Sequence, residues 1–252
     1  MVENMTEKEM KEIVKKRYSE IAETQSCCST TSCCGTDYEE RSQDIGYSRE
    51  DLEQIPKEAI RGLGCGNPLG ILNLEKGDSV LDLGSGLGID VFLAAEKVGE
   101  EGRAVGIDTT EEMVNKARKI AKKHGYENVR FEHGEMEDMP FPDGSFDAVI
   151  SNCVINLSPD KSSTYEEIYR ILKPGGSMLI SDIVSKEELP EEIKDDPEAW
   201  SECIGGAIEK EKYLDMIKDA GFEKIDVISQ RSYETLEEHN AELLSIEIRA
   251  FK

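Results

Sequence analysis

From Asp78 onward, short apolar runs alternate with amphipathic stretches. "SVLDLG", "AVGID", "VRFEHG", "FDAVISN" and "SMLISDIV" have strand length and strand composition. Between them, helical periodicity appears around residues 88–98, 110–124 and 160–172. Such alternation predicts a parallel sheet with helices on both faces, the doubly wound α/β class. A further helix, "KEKYLDMIKDAGF", and two strands, "KIDVISQ" and "LLSIEIRAFK", follow. Residues 185–208, rich in Glu, Pro and Asp, read as a small lid-like insertion after the fifth strand, with a flexible "GGA" at Gly205 to Ala207.

Ahead of this core, Met10, Ile13, Val14, Tyr18 and Ile21 fall at helical spacing within residues 6–24. "TQSCCSTTSCCGTD" then breaks the pattern with Ser, Thr and Gly. Residues 50–62 predict a short helix, ended by the glycine-rich "RGLGCGNPLG". The pattern therefore divides into an N-terminal helix, Cys-rich loop and glycine-rich loop (1–74), a core (75–184), and an insertion with the closing helix and strands (185–252).

Composition narrows the partners. The 252 residues hold 54 acidic and 30 basic side chains, a net charge of −24. That balance argues against nucleic acid and anionic membranes and leaves a small neutral or cationic ligand open. A well-solvated monomer is expected. "MVENMTEKEMKEIVKK" has no signal-peptide core, and no run approaches a membrane span, so a cytoplasmic location is expected. The seven cysteines should be reduced there, and they include two adjacent pairs, Cys27-Cys28 and Cys33-Cys34.

"VLDLGSGLGIDVFLAA" is a strand, a glycine turn and a helix start. Gly84, Gly86 and Gly88 let the backbone turn tightly and approach a ligand. Asp108 closes the next strand, where an acid hydrogen-bonds the ribose of a nucleotide. The spacing G-x-G-x-G, with Asp82 two residues before the first glycine, departs from the dinucleotide form. An acid there is ill placed beside a pyrophosphate and suits an ammonium.

This run resembles the cofactor motif of the class I S-adenosylmethionine-dependent methyltransferases, a Rossmann-like family. The resemblance implies that Asp82, Gly84, Ser85, Gly86 and Gly88 face the methionine end of the cofactor. It implies Asp108 and Thr109 at the ribose. "GEMEDMPF" is similar to the family's adenine border, which nominates the Glu135 side chain and the Met136 backbone. "ILKPGG" matches the turn before the fifth strand.

The fold does not name the substrate. Cys65 lies in "GLGCGNP", Cys153 ends the fourth strand, and Cys203 lies in "SECIGGAI". All three segments reach toward the carboxyl edge of the sheet. Packing is one reading of a buried thiol. A nucleophile is a second, but it wants a nearby base, and His124, His133 and His239 lie outside these segments. Zinc is a third, although "CCSTTSCC" lacks the usual C-x2-C spacing. A thiophilic substrate is a fourth. Trivalent arsenic bonds three sulfurs and keeps a lone pair at its open apex.

"GLGCGNP", "SNCVINLSPDK", "YRILKPGG" and "CIGGAI" together resemble the arsenite methyltransferases. The resemblance implies Cys65, Cys153 and Cys203 as arsenic ligands. Asn152, next to Cys153 at the strand end, is the best-placed polar neighbour of the methyl group and of the cofactor, with capping of the strand as its alternative role. The resemblance implies help from one of the N-terminal cysteines, Cys28 and Cys34 being candidates. It also implies S-adenosyl-L-methionine as cofactor, arsenite or its thiol adducts as substrate, and a glutathione- or thioredoxin-type reductant. Methylation of an organic molecule, of the quinone C-methylation type, and a non-catalytic thiol-based metalloid sensor are the competing readings.

Overall fold

The computed structural model describes residues 6–23, 38–236 and 241–252. Cys27, Cys28, Cys33, Cys34 and His239 lie outside the described residues. Three helices come first: α1 (Glu7–Glu23), α2 (Tyr38–Asp44) and α3 (Arg49–Gln54). The core then runs β1 (Ser79–Leu83), α4 (Ile89–Val98), β2 (Arg103–Asp108), α5 (Glu111–His124), β3 (Val129–His133), β4 (Phe146–Asn152), α6 (Lys161–Ile171) and β5 (Leu172–Ser185). It closes with α7 (Glu191–Lys194), α8 (Pro197–Ser201), α9 (Lys210–Asp219), β6 (Lys224–Leu236) and β7 (Ala241–Phe251).

The seven strands form one sheet in the order β3-β2-β1-β4-β5-β7-β6. The first five are parallel, and β7 runs antiparallel between β5 and β6. Parallel strands covered on both faces read as near-continuous apolar runs, which is why β1, β4 and β5 stood out in the sequence. Phe92, Met113 and Leu69 pack on one face; Tyr165, Ile168, Tyr213 and Phe222 pack on the other. Each such side chain contributes roughly 1.5–3 kcal/mol by burial. Chain order reverses between β1 and β4, so the crevice beyond their carboxyl ends is the expected ligand site.

Three local expectations need correction. The helix expected over 50–62 stops at Gln54, because Pro56 forces Ile55 into extended backbone (φ −114°, ψ 163°). A 3-10 turn, Lys57–Ala59, replaces its second half. "KPGG" is a bulge within a longer β5: register passes from Phe146↔Leu172 to Ala148↔Ser177, and Gly175 takes φ 81°. Gly205-Gly206 is packed rather than hinge-like. A Cβ on Gly206 would lie 1.9 Å from the Asn156 carbonyl oxygen, and one on Gly205 2.8 Å from the Trp200 nitrogen.

Candidate active site

The glycine turn shapes a cleft at the switch point. Gly84, Gly86 and Gly88 all adopt left-handed backbone, at φ 63°, 53° and 94°. A Cβ on Gly84 would meet Val154 Cγ2 at 2.2 Å, and one on Gly88 would meet Phe131 Cζ at 2.5 Å. Gly86 faces open space. Its N–H donates to Asp108 Oδ2 at 2.8 Å, while Thr110 N–H donates to Oδ1 at 2.8 Å. Asp108 is thereby fixed at the end of β2, though burial still raises its carboxyl overall. The cleft encloses about 1160 Å³, counting its open mouth.

Asp82 is 4% exposed, and among the described residues no donor hydrogen-bonds its carboxylate. Burial, then the charges of Asp90 and Asp108, push it well above the usual carboxylate range. A buried acid in this state lacks a cation, and it lines the cleft beside Gly84 and Ser85.

Glu135 has partners that the sequence did not announce. It accepts from Lys15 at 2.7 Å, Lys11 at 3.1 Å and the Thr109 hydroxyl at 2.9 Å. Burial pushes it up, but these bonds outweigh burial and hold it at about 2. Glu135 and Thr109 therefore anchor α1 over the cleft, and both also line it. Met136 lines the cleft as expected. Arg17 completes the clasp, bonding Glu202 at 2.8 Å and the Ser201 hydroxyl at 2.9 Å. Tyr18 packs beneath, and its hydroxyl is raised by burial first and then by the charges of Cys203 and Cys153.

Cys65, Cys153 and Cys203 meet beside this cleft. Cys153, at the end of β4, has φ 58°, and Cys203, after α8, has φ 65°. Among the described residues these are the only non-glycine positions with positive φ. Such backbone costs roughly 1–3 kcal/mol at a β-carbon residue and persists where the surroundings impose it. Cys153 N–H donates to Ser181 O at 2.7 Å, and Cys203 N–H to Trp200 O at 3.0 Å. Cys65 is 3% exposed and Cys203 4%, and both thiols lie within hydrogen-bonding reach of Cys153.

Hydrogen bonds to Cys203 and Cys65, followed by burial, raise the Cys153 thiol far above the ordinary thiol value. For Cys65 the bond to Cys153 lowers it, but burial and the charges of Asp182 and Cys203 win, so it too is raised. Among the described residues no three His, Cys, Asp or Glu side chains form a ready-made metal site. The thiols touch through Cys153 without forming a tripod. His133 lies against the Thr109 carbonyl and His124 against Glu58.

The glycines flanking Cys65 have a local reason. A Cβ on Gly64 would lie 2.7 Å from Asn152 Oδ1, and one on Gly66 2.5 Å from Ser181 Oγ. Asn152 is committed to this loop: its Oδ1 accepts from Cys65 N–H at 3.0 Å and Gly66 N–H at 3.3 Å. The expected polar neighbour of the methyl group is thus a holder of Cys65. Arg231 and Ser245 donate to the Cys65 carbonyl at 2.5 Å and 3.2 Å.

Sequence reasoning passed over Lys161, although it ends the quoted "SNCVINLSPDK". Its ammonium is buried, donates to Ser158 O at 3.0 Å and lies 5.6 Å from the Trp200 ring centroid. Burial lowers it to about 8, opposed by Asp182, Cys203 and Glu137. Asn156 donates to the Ile183 and Cys203 carbonyls at 2.6 Å and 3.3 Å. Tyr47, which accepts from Asn152 from behind, and Asp90, which accepts from Tyr47, carried no signal in the sequence.

A doubly wound sheet with a glycine turn after β1, an uncompensated acid before it and a fixed acid after β2 defines a methyltransferase domain of class I. The family model described as "Methyltransferase domain" matches residues 74–221. The arsenite methyltransferase of Halobacterium salinarum is 39% identical over 90% of this chain and 61% of its own length. That of Aquipseudomonas alcaligenes is 38% identical over 84% of this chain and 62% of its own. The crystal structure of an arsenic(III) S-adenosylmethionine methyltransferase from Chlamydomonas reinhardtii aligns with TM-score 0.69 at 33% identity. That alignment covers 84% of this chain and 73% of the crystallised one. The chain belongs to the arsenite methyltransferase family of S-adenosylmethionine-dependent enzymes.

The chain spans a little over three fifths of those two curated relatives' length. S-adenosylmethionine is the family's cofactor, and the residues present fit it. Asp82 offers an unneutralised carboxylate for an ammonium, and Gly86 presents bare backbone to the cleft. Among the described residues no helix is long and apolar enough to cross a membrane.

Proposed function

We propose that the protein methylates trivalent arsenic, held as a thiolate complex by Cys65, Cys153 and Cys203, to give methylated arsenicals for detoxification. One observation carries the reading: two of the three touching thiols stand on left-handed backbone, beside the cofactor cleft. Thiols used only as apolar filler would gain nothing from strained positions.

Arsenite enters as the neutral acid or a thiol adduct. Each thiol exchanges for a hydroxyl: an As–S bond forms, an As–O bond breaks, and the thiol proton leaves with the hydroxyl as water. Three exchanges release three waters and leave the arsenic lone pair as nucleophile, so no general base is required. Bound S-adenosylmethionine supplies an electrophilic sulfonium methyl. Asp82 would hold its ammonium and Asp108 its ribose hydroxyls. The chain contributes placement, by fixing the Cys65 loop through Asn152, and exclusion of water, by closing α1 over the cleft. Methylation at the lone pair takes arsenic from the trivalent to the pentavalent state. Two of the thiolates would return the two electrons by closing a disulfide as their As–S bonds break. A glutathione- or thioredoxin-type reductant would reduce that disulfide to two thiols.

The test is product analysis by chromatography with elemental mass detection. The full chain is incubated with arsenite, S-adenosylmethionine and glutathione, beside a Cys65→Ser/Cys153→Ser/Cys203→Ser control. Methylated arsenic from the unmodified chain alone is expected. Methylated arsenic from both would refute the ligand assignment. None from either, with cofactor bound, would favour an organic methyl acceptor.

A further inference from the structure

Hydrogen bonds lead from the helix after the glycine turn to the backbone of Cys65. The Tyr47 hydroxyl donates to both Asp90 carboxylate oxygens at 2.9 Å. Its oxygen in turn accepts from Asn152 Nδ2 at 2.9 Å. The same amide nitrogen donates to Gly66 O at 2.7 Å, and Asn152 Oδ1 accepts from Cys65 N–H and Gly66 N–H. The directions agree throughout: the carboxylate accepts, the hydroxyl both donates and accepts, and the amide turns its oxygen toward Cys65. A flipped amide would set NH₂ against two backbone N–H groups, so the Tyr47 oxygen helps select the productive orientation.

Asp90 begins this chain in the first turn of α4 and is 2% exposed. An acid near a helix N-terminus is ordinary by itself. Here its partner is a tyrosine from the segment between α2 and α3, 43 residues away, and its neighbour is the uncompensated Asp82. Two buried carboxylates in one dry pocket repel, and the repulsion favours a proton on one of them, Asp82 being the one pushed well above the ordinary range. Burial raises Asp90 to about 6, against the bonds from Tyr47 and Asn152.

We infer that Tyr47 and Asp90 are positioning residues that tie occupancy of the cofactor cleft to the placement of Cys65. A ligand whose ammonium sits at Asp82 fills the cleft that Asp90, Asn152 and Gly64 also line, excludes water from it and adds a positive charge that keeps Asp90 ionised. A charge-assisted bond to an ionised acceptor is roughly twice as strong as a neutral one. The Tyr47 hydroxyl is then held more firmly, its oxygen becomes the better acceptor for Asn152, and the amide grips the Cys65 loop. Cofactor binding thus prepares one arm of the thiol set, and by linkage the arm's occupancy strengthens cofactor binding. The consequence for arsenic rests on the function proposed above; the state of the Cys65 loop does not.

The experiment measures iodoacetamide modification of Cys65 in the full chain by peptide mass spectrometry, with and without saturating S-adenosylhomocysteine. Cofactor should slow modification about fivefold or more in the unmodified chain. In Tyr47→Phe the ratio should fall to within about twofold of unity, with S-adenosylhomocysteine still binding by calorimetry. Asp90→Asn keeps an acceptor but not the charge and should give an intermediate ratio; it also stands in if Tyr47→Phe does not fold. Undiminished protection in both variants would mean that the cofactor shields the thiol directly, and would overturn the inference. Absence of protection in the unmodified chain would overturn it equally. Arsenite binding is measured in a separate arm. Its absence would strike the proposed substrate, while the alkylation ratios alone decide the relay.

Discussion

The Cys203 thiol donates to the carbonyl oxygen of Cys153 at 2.8 Å, joining residues fifty apart in the chain. Both residues have left-handed backbone, so the bond links two strained turns, one at the end of β4 and one after α8. The insertion after β5 is thereby fastened to the edge of the sheet at the point where the thiols meet.

Replacing Cys153 separates strain from packing. Cys153→Gly removes the thiol and the β-carbon that disfavours φ 58°. It should be more stable than Cys153→Ala by about 1 kcal/mol, measured by urea unfolding. Both variants should lose arsenite methylation. A glycine variant less stable than the alanine variant would mean that the backbone conformation carries no strain.

Asp82 exchanges stability for binding. Asp82→Asn should weaken S-adenosylmethionine at least tenfold, about 1.4 kcal/mol, by calorimetry. The same change removes a buried charge repelled by Asp90 and Asp108. The Tm of the ligand-free protein should therefore rise, by about 2–4 °C for each kcal/mol gained.

The buried acids also set a pH dependence. Asp90 and Asp182 both stand near 6 in the fold, above their ordinary 3.8. Acids raised by folding contribute stability that is full below the unfolded value and lost as pH rises through the folded value. Ligand-free protein should lose stability from about pH 4 to about pH 6, and Asp90→Asn should flatten that decline. A decline unchanged by the substitution would contradict the assignment.

Lys11 and Lys15 hold α1 down through Glu135. Lys11→Gln/Lys15→Gln should speed amide exchange throughout α1 and raise the S-adenosylhomocysteine dissociation rate. Glu135 moves the other way from the buried acids, from 4.5 down to about 2. Its contribution is full above pH 4.5 and is lost as pH falls through about 2. Exchange in α1 that ignores both the variant and this acid window would rule out the clasp.

The parts of the site legible in the sequence are those carried by short-range pattern or by topology. Asp82, the three glycines and Asp108 belong to one strand-turn-helix-strand run, and the structure puts them around one cleft. Cys153 was legible because the end of a parallel strand at the switch point is a ligand position. Cys65 and Cys203 followed from chain order, but their contact with Cys153 depends on tertiary packing. The ion pairs of Glu135 were not legible, because nothing local reveals that Lys11 and Lys15, over a hundred residues earlier, reach it. Tyr47 sits alone between two short helices, and only the folded chain sets it against Asp90 and Asn152. Pro56 was a readable signal: the helix expected through 62 had to stop before it.

Arsenic K-edge X-ray absorption on the arsenite complex tests the central claim most directly. The sample is the Cys27→Ser/Cys28→Ser/Cys33→Ser/Cys34→Ser variant, which leaves Cys65, Cys153 and Cys203 as its only thiols. The account predicts three sulfur neighbours around arsenic and no oxygen in the first shell. Retained oxygen ligands, or a sulfur shell that survives conversion of Cys153 to Ser unchanged, would contradict it.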